Sequence, residues 1–520
     1  MSAAWTTSAN EAREARKSDS LSSLLSSTSP TASAPHALVV GATSKPGPGF
    51  ELCSSAAASI GTGALAAIES QLSGLRFDAA LGETRTVFVD GQVVCVVGLG
   101  KTSTAEAARK AAAAAVSSLR SLTKDAKKAE GPFRVALQPL ASDAKATAEG
   151  SILAAFKYTD NITEKKQQIT PIVYAPGAGI ETVNKWHEGV ILAEAQNTAR
   201  HLMETPANFL TPILFAQRAQ SLLSPLPSVS VTVRDESWIA SQKMGSFLSV
   251  ARGSAEPPRF LEIKYQGNKS SSDFPIGLVG KGVTFDTGGI SIKPSNDMAL
   301  MKGDMGGAAV VVGAIEAIAK LGLPINVVAC IPLTENMPSG TATKPGDVVF
   351  AMNGKSIEVV DTDAEGRLIL ADAINYTCKT FKPKSLIEFS TLTGAIDVAL
   401  GYPYAGVFTT SDSLWEGLNS AGKSAGDKLW RMPMDMDAYK SQIKSDAADL
   451  KNYGGRSAGS CTAAVFLQEF VEEGVEFAHI DIAGVMKQSG SYGILPKGMT
   501  GRPVRAIVEY VKTEADSKSL

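Results

Sequence analysis

The chain has 520 residues, 44% of them hydrophobic and 20% charged, the composition of a folded protein of about two to four domains rather than a disordered one. Its 50 Lys and Arg against 52 Asp and Glu leave a formal charge of −2, which removes any chain-wide electrostatic reason to sit on nucleic-acid phosphates or an anionic membrane. Five cysteines (Cys53, Cys95, Cys330, Cys378, Cys461) contain no CxxC pair, and four histidines (His36, His187, His201, His479) contain no HxxxH or HxH. A disulfide scaffold, a Cys-rich zinc site and a His-based metal motif are therefore set aside, and a reducing compartment is expected.

In chain order, residues 1–36 come first, with ten Ser, four Thr and seven Ala. That composition cannot bury a core, so a disordered tail is expected. Glu11, Glu14 and Asp19 offset Arg13, Arg16 and Lys17, unlike an acid-poor mitochondrial presequence; a cytoplasmic location is expected, with mitochondrial targeting left open. Residues 37–182 alternate apolar runs (Ala37–Val40, Thr86–Val89, Val93–Val97, Arg134–Leu137) with Ala-rich helical stretches (Thr104–Leu122, Thr147–Lys157), which predicts an α/β domain. A long helix over Val183–Met203 links the domains within residues 183–205 and ends before Pro206, because a residue preceding proline disfavours helix. Residues 206–520 form the second domain. Its predicted strands are Ile276–Val279, Ile325–Ile331, Val348–Met352, Ser356–Val360, Leu386–Ser390 and Phe477–Ile482, with a hairpin at Asn353-Gly354. Its predicted helices are Gly307–Leu321, Leu368–Lys379 and Thr462–Glu473. The most apolar stretch, Gly306–Leu323, carries Glu316 and Lys320 and does not read as a membrane span. The fold class is α/β, a smaller N-terminal α/β domain preceding a larger C-terminal α/β domain with a central, mostly parallel sheet.

Two motifs resemble known machinery and fail. Val93–Thr102 lacks the first glycine of a phosphate-binding loop, Cys95 standing in its place. Gly455-Arg456-Ser457-Ala458-Gly459 has no strand before it and no acid-then-His order after it, as a nucleophile elbow requires. His479 reads as a core residue, and Met298, Met301 and Met305 can be core fillers.

Carboxylates concentrate instead where apolar strands end. One segment runs Val279-Gly280-Lys281-Gly282-Val283-Thr284-Phe285-Asp286-Thr287-Gly288-Gly289, followed by Lys293 and Lys302-Gly303-Asp304. The other is Thr362-Asp363-Ala364-Glu365-Gly366-Arg367-Leu368. Ligands of open α/β sheets bind beyond the carboxyl ends of strands, and four strands are expected to bring these residues, Thr391–Gly394 and Ala483–Met486 to one edge. Asp286, Asp304, Asp363 and Glu365 side by side repel unless cations neutralise them. Oxygen-rich ligation admits Mg²⁺, Mn²⁺ or Zn²⁺, and four carboxylates exceed the needs of one ion. A two-metal site fits better, its ions roughly 3.5–4 Å apart around a shared water.

These two segments, with Glu335-Asn336-Met337-Pro338, Asp481-Ile482-Ala483-Gly484 and the linker Pro206-Ala207-Asn208-Phe209-Leu210-Thr211-Pro212, resemble the leucyl aminopeptidase (cytosol aminopeptidase) family. The resemblance covers Ala199–Tyr510; the preceding domain resembles the family only in its α/β character. It implies that Asp286 and Glu365 bridge two metal ions. Asp363 completes one, with its own carbonyl, while Asp304 and Lys281, as a neutral amine, complete the other. It implies that Lys293 stays charged and polarises the scissile carbonyl or stabilises its oxyanion, that Arg367 holds a bicarbonate that relays a proton from the bridging water, and that Met301, Thr391, Gly394, Ala483 and Met486 wall a pocket for leucine-like side chains. It also implies a homohexamer, a dimer of trimers, acting on short peptides. Asp361 departs from the family, which usually has Asn there. Near-neutral charge and no basic stripe speak against a nucleic-acid partner, for which salt-dependent duplex binding is the discriminating measurement. A two-metal phosphoryl hydrolase shares the carboxylates but would have no basic clamp beyond Lys293 and Arg367.

Overall fold

Short β-branched runs separated by Ala-rich, well-capped helices build the first domain. Strands Thr84–Val89, Gln92–Gly98, Ala37–Ser44, Phe133–Leu137 and Ile169–Val173 lie in that order in one sheet, with Phe50–Leu52 on the Ala37–Ser44 strand. Thr104 and Asp143 cap the helices Ala105–Leu119 and Ala144–Ala155 through their side-chain oxygens, each supplying a partner that the first-turn amides would otherwise lack. The structure is a computed structural model that describes residues 35–45, 49–53, 62–123, 132–163, 167–174, 179–489 and 493–517. The Ser-rich segment expected as a tail lies outside the described residues, except Pro35 and His36. His36 accepts the Arg134 amide at 3.0 Å and stacks on Phe133.

The linking helix runs Ile180–Glu204 and stops at Thr205, before Pro206. It serves both cores. Trp186 is buried in the apolar cluster of the first domain, while Leu192, Ala195, Ala199, Leu202 and Met203 join that of the second.

The second domain is built on a nine-stranded sheet in the order Leu429–Met432, Ala405–Thr409, Glu476–Asp481, Ser385–Ser390, Ile276–Gly280, Asn326–Asn336, Arg259–Gln266, Val229–Arg234, with Gly282–Asp286 also paired to Asn326–Asn336. Five pairings are parallel and three antiparallel, as the α/β reading expects. Alternate residues of the central strands point to opposite faces. Leu278, Ile387 and Ala329 enter one core with the helix Gly306–Leu321, and Val279, Leu386 and Cys330 enter another with the helix Gly366–Phe381. A strand with both faces covered reads as an unbroken apolar run, and Ser385–Ser390 is buried at every position. The stretch Met298–Leu321 is long and apolar enough to cross a membrane by length and composition, but 72% of its most apolar window is buried in the protein. It is a 3₁₀ turn followed by a core helix.

Two expectations need correction. The strand Ser356–Val359 does not belong to the large sheet. It pairs antiparallel with Asp347–Phe350 across the Asn353-Gly354 turn and parallel with Leu450–Lys451, in a separate sheet of three. A tight hairpin pairs its own strands and cannot enter as a crossover-connected parallel strand. The helix expected at Thr462–Glu473 instead spans Gly459–Gln468, because the Gly-rich loop preceding it already supplies its first turn.

Candidate metal centre

Lys281 occupies the single residue between strands Ile276–Gly280 and Gly282–Asp286. Its amide donates to the Phe389 carbonyl and its carbonyl accepts from Ala308, each at 2.9 Å, so the backbone is clamped between a strand end and a helix start. The side chain runs past Gly366, where an added Cβ would lie 2.7 Å from Lys281 Cε. Its Nζ rests 2.8 Å from Asp304 Oδ2 and 2.8 Å from Glu365 Oε1. Lys293 Nζ sits 2.8 Å from Asp286 Oδ2 and also contacts Asp363 Oδ1. The carboxylates of Asp286, Asp363 and Glu365 converge within 4.8 Å of one another. Asp286 ends its strand, Asp304 follows the 3₁₀ turn Met298–Gly303, and Glu365 precedes the helix Gly366–Phe381. Gly288, at φ 87°, lets its loop pass where a Cβ would come 2.8 Å from Asp363 Oδ1.

The surrounding polar groups aim these oxygens. Asp286 Oδ1 accepts from the Gly288 amide and from Asn336 Nδ2, each at 2.8 Å, leaving Oδ2 for the cluster. The Thr391 hydroxyl donates to Asp304 Oδ1 at 2.6 Å. The Asp363 amide donates to Asp361 Oδ1 at 2.9 Å, which gives the unusual Asp361 a turn-forming role. Asn452 takes the Val360 amide on its side-chain oxygen and the Arg367 guanidinium on its carbonyl, at 2.9 and 2.8 Å.

Burial works to depress the Lys281 ammonium, but Asp304, Glu365 and Asp286 outweigh it and hold it above the ordinary lysine range. The same balance raises Lys293, through Asp286 first. Burial, reinforced by Asp286, pushes Glu365 up to about 8, and burial lifts Asp304 to about 6. Burial draws Arg367 down to about 10. Glu365 Oε2 receives no hydrogen bond, and Asp304 Oδ2, Glu365 Oε1 and Asp363 Oδ1 have only the ammonium groups of Lys281 and Lys293 beside them. Four carboxylates gathered around two ammonium groups are costly unless further cations join them. The donor set, oxygens plus one primary amine, fits divalent ions.

The structure thus brings Lys281, Asp286, Lys293, Asp304, Asp363 and Glu365 together. Arg367 lies two residues beyond Glu365, 4% exposed, with its Nε unpartnered. Of the residues expected to wall a pocket, Thr391 is buried, Met301, Ala483 and Met486 are half-buried and Gly394 is exposed. Met305 is a core residue and Met298 half-buried. His479 is fully buried against Glu388, as a core histidine should be. Ser457, from the failed nucleophile motif, is exposed in the loop before the helix Gly459–Gln468. Asn336 and Asn452 escaped sequence reasoning as site residues, for their roles arise from strand register and loop packing. The segment Glu335–Pro338 did point to the neighbourhood of Asn336.

A mostly parallel sheet with Lys281 and Asp286 at its strand ends, joined there by Asp304, Asp363 and Glu365 from neighbouring segments, has the architecture of an α/β hydrolytic enzyme with an acidic metal-site group. The profile of the cytosol aminopeptidase family, catalytic domain, matches residues 197–508, and that of its N-terminal domain matches residues 50–165. The family likeness therefore extends into the first domain, beyond the α/β character read from sequence. The cytosol aminopeptidase of Dictyostelium discoideum is 49% identical, over 81% of this chain and 82% of that protein. The cytosol aminopeptidase of Mus musculus is 48% identical over 83% of each. Among solved structures, a mutant of tomato leucine aminopeptidase aligns with a TM-score of 0.80 and 31% identity, covering 92% of this chain and 94% of its own. The bottromycin maturation enzyme BotP in complex with Mn aligns with a TM-score of 0.80 and 33% identity, covering 93% and 100%. This chain belongs to the cytosol aminopeptidase family and is a hydrolase with aminopeptidase activity.

Proposed function

We propose that this aminopeptidase holds two divalent ions per chain, zinc or manganese, and releases leucine-like hydrophobic residues from the N-termini of short peptides. The observation that carries the reading is the convergence of Asp286, Asp304, Asp363 and Glu365 on Lys281 and Lys293, four carboxylates against two ammonium groups, with Glu365 Oε2 receiving no hydrogen bond. Asp286, Glu365, Asp363 and Asp304, with Lys281 as a neutral amine, would hold the ions, Asp286 and Glu365 being shared between them. When bound, such ions polarise a carbonyl and lower the pKa of a water shared between them until it is a nucleophile near neutral pH.

The chain's own residues supply the rest. Lys293, whose side chain is 21% exposed, stands on the accessible side of the cluster and remains an ammonium, placed to stabilise charge developing on the scissile carbonyl. Arg367, buried with its Nε unpartnered, would hold a bicarbonate, which would supply proton relay at a site whose proposed ligands include no histidine. Met301, Thr391, Gly394, Ala483 and Met486 line the pocket for the first side chain. The enzyme works as a homohexamer, a dimer of trimers, in the cytoplasm; exposed Phe350, Val398 and Trp430 offer apolar surface for such interfaces.

The test is a comparison of leucyl-amide, N-acetyl-leucyl-amide and a phosphate monoester under saturating Mn²⁺. Hydrolysis of the first alone is expected. Equal cleavage of the acetylated amide would remove the exopeptidase reading, and faster turnover of the phosphate ester would favour phosphoryl chemistry.

A further inference from the structure

Asp481 ends the strand Glu476–Asp481 and is completely buried. Ser390, its register partner, ends the parallel neighbour, and the Ile482 amide donates to the Ser390 carbonyl at 2.8 Å. The two chains therefore leave the sheet side by side, then diverge into the segments Thr391–Gly394 and Ala483–Met486. The Asp481 carboxylate spans this fork. Its Oδ1 accepts the Leu392 amide at 3.1 Å and the Ala483 amide at 3.2 Å, and its Oδ2 accepts the Thr393 hydroxyl at 2.7 Å. The same Thr393 oxygen accepts the Ile396 amide at 3.2 Å, capping the helix Gly394–Leu400.

We infer that Asp481 is a positioning residue for substrate selection: it fixes the spacing of the two segments that face each other across the side-chain pocket, and so sets which N-terminal residues are accepted. This rests on the pocket assignment proposed above. The physical case is that both oxygens of one carboxylate are committed to donors from two separate segments, through charge-assisted bonds stronger than those between neutral groups. Without them the segments keep the backbone bond at their strand ends and the apolar packing of Ala483 and Gly484 on the helix Gly394–Leu400, but lose the polar ties that set their spacing. A hydrophobic pocket discriminates by fit at the level of single methylenes, so loosened walls cost selectivity before they cost chemistry. The candidate ligands ride on other segments, around residues 281–286, 304 and 363–365; Thr391 touches Asp304 and Lys281, but it directly follows Ser390, where the backbone bond to Ile482 remains in place.

The experiment measures kcat/KM for leucyl and alanyl amides with the full chain in Mn²⁺, for Asp481→Ala, Asp481→Asn and Thr393→Ala, with bound metal determined for each. In Asp481→Ala the leucyl-over-alanyl preference should fall about tenfold while bound metal stays at the wild-type level. Thr393→Ala should lose a smaller part. Asp481→Asn, which keeps an acceptor for both amides, should retain the preference to within about threefold. Equal losses on both amides, with the preference intact, would indicate a merely structural role and overturn the inference. Should Asp481→Ala fail to fold, Thr393→Ala decides, and an unaltered preference in that variant overturns it equally. Met486→Ala separates the two readings: an unchanged preference there removes the pocket assignment itself. A changed preference there, with none in the Asp481 and Thr393 variants, removes only the role of Asp481.

Discussion

At the scale of single residues, the cluster trades protons against metal. Glu365, raised by burial to about 8, holds a proton at neutral pH, Asp304, raised to about 6, takes one up as pH falls through that value, and Lys281 holds its own most firmly. A divalent ion takes the charged carboxylates and the neutral amine, so loading releases protons and becomes more favourable as pH rises. Apparent Mn²⁺ affinity, followed by titration calorimetry, should therefore increase from pH 6 to pH 8, with protons released to the buffer; a flat profile would contradict this. Thr391, taken from sequence as pocket wall alone, donates its hydroxyl to Asp304. Thr391→Val should weaken metal binding about 10- to 100-fold, the usual effect of losing a group that orients a ligand. Lys293→Ala should lower kcat by about a hundredfold to a thousandfold with bound metal unchanged; loss of metal in that variant would reassign the lysine.

At the scale of elements, the two domains are locked by a buried ion network rather than by the linking helix alone. Glu149, on the helix Ala144–Ala155, takes Arg109 of the neighbouring helix and Arg505 of the C-terminal helix Val504–Ser517. Arg505 also reaches Asp427 at 3.3 Å and Gln196 of the linking helix at 2.7 Å. Removing one member of such a network leaves its partners charged and unpaired. Glu149→Ala should cost about 3–5 kcal/mol, read from the denaturant midpoint, with no change in the side-chain preference of the remaining enzyme. The elements themselves were unevenly legible. Lys281, Asp286, Asp363 and Glu365 stand in Gly-rich segments directly after apolar runs, so chemistry and position are both local in the sequence. The alternating Val229–Arg234 and Arg259–Gln266 strands were equally local in pattern but passed over. The contacts of Asn336 with Asp286, of Thr391 with Asp304 and of Glu149 with Arg505 depend on the register of distant segments, which no local pattern encodes. The hairpin of the small sheet was legible at Asn353-Gly354, but its third strand, Leu450–Lys451, two residues long, was missed for the same reason.

At the scale of the whole molecule, one active centre per chain and a proposed closed assembly make separate claims. Closed point-group symmetry makes six copies reasonable, and light scattering should report a particle near six times 54.2 kDa; a fully active monomer would overturn the hexamer and leave the chemistry standing. The chemistry stands or falls on metal stoichiometry. The most direct measurement removes metal with a chelator, then titrates Zn²⁺ or Mn²⁺ back while leucyl-amide hydrolysis and bound metal are recorded together. Activity should vanish on chelation and return with a break at two ions per chain. Turnover that survives metal removal, or that saturates at one ion per chain, would contradict the two-ion account.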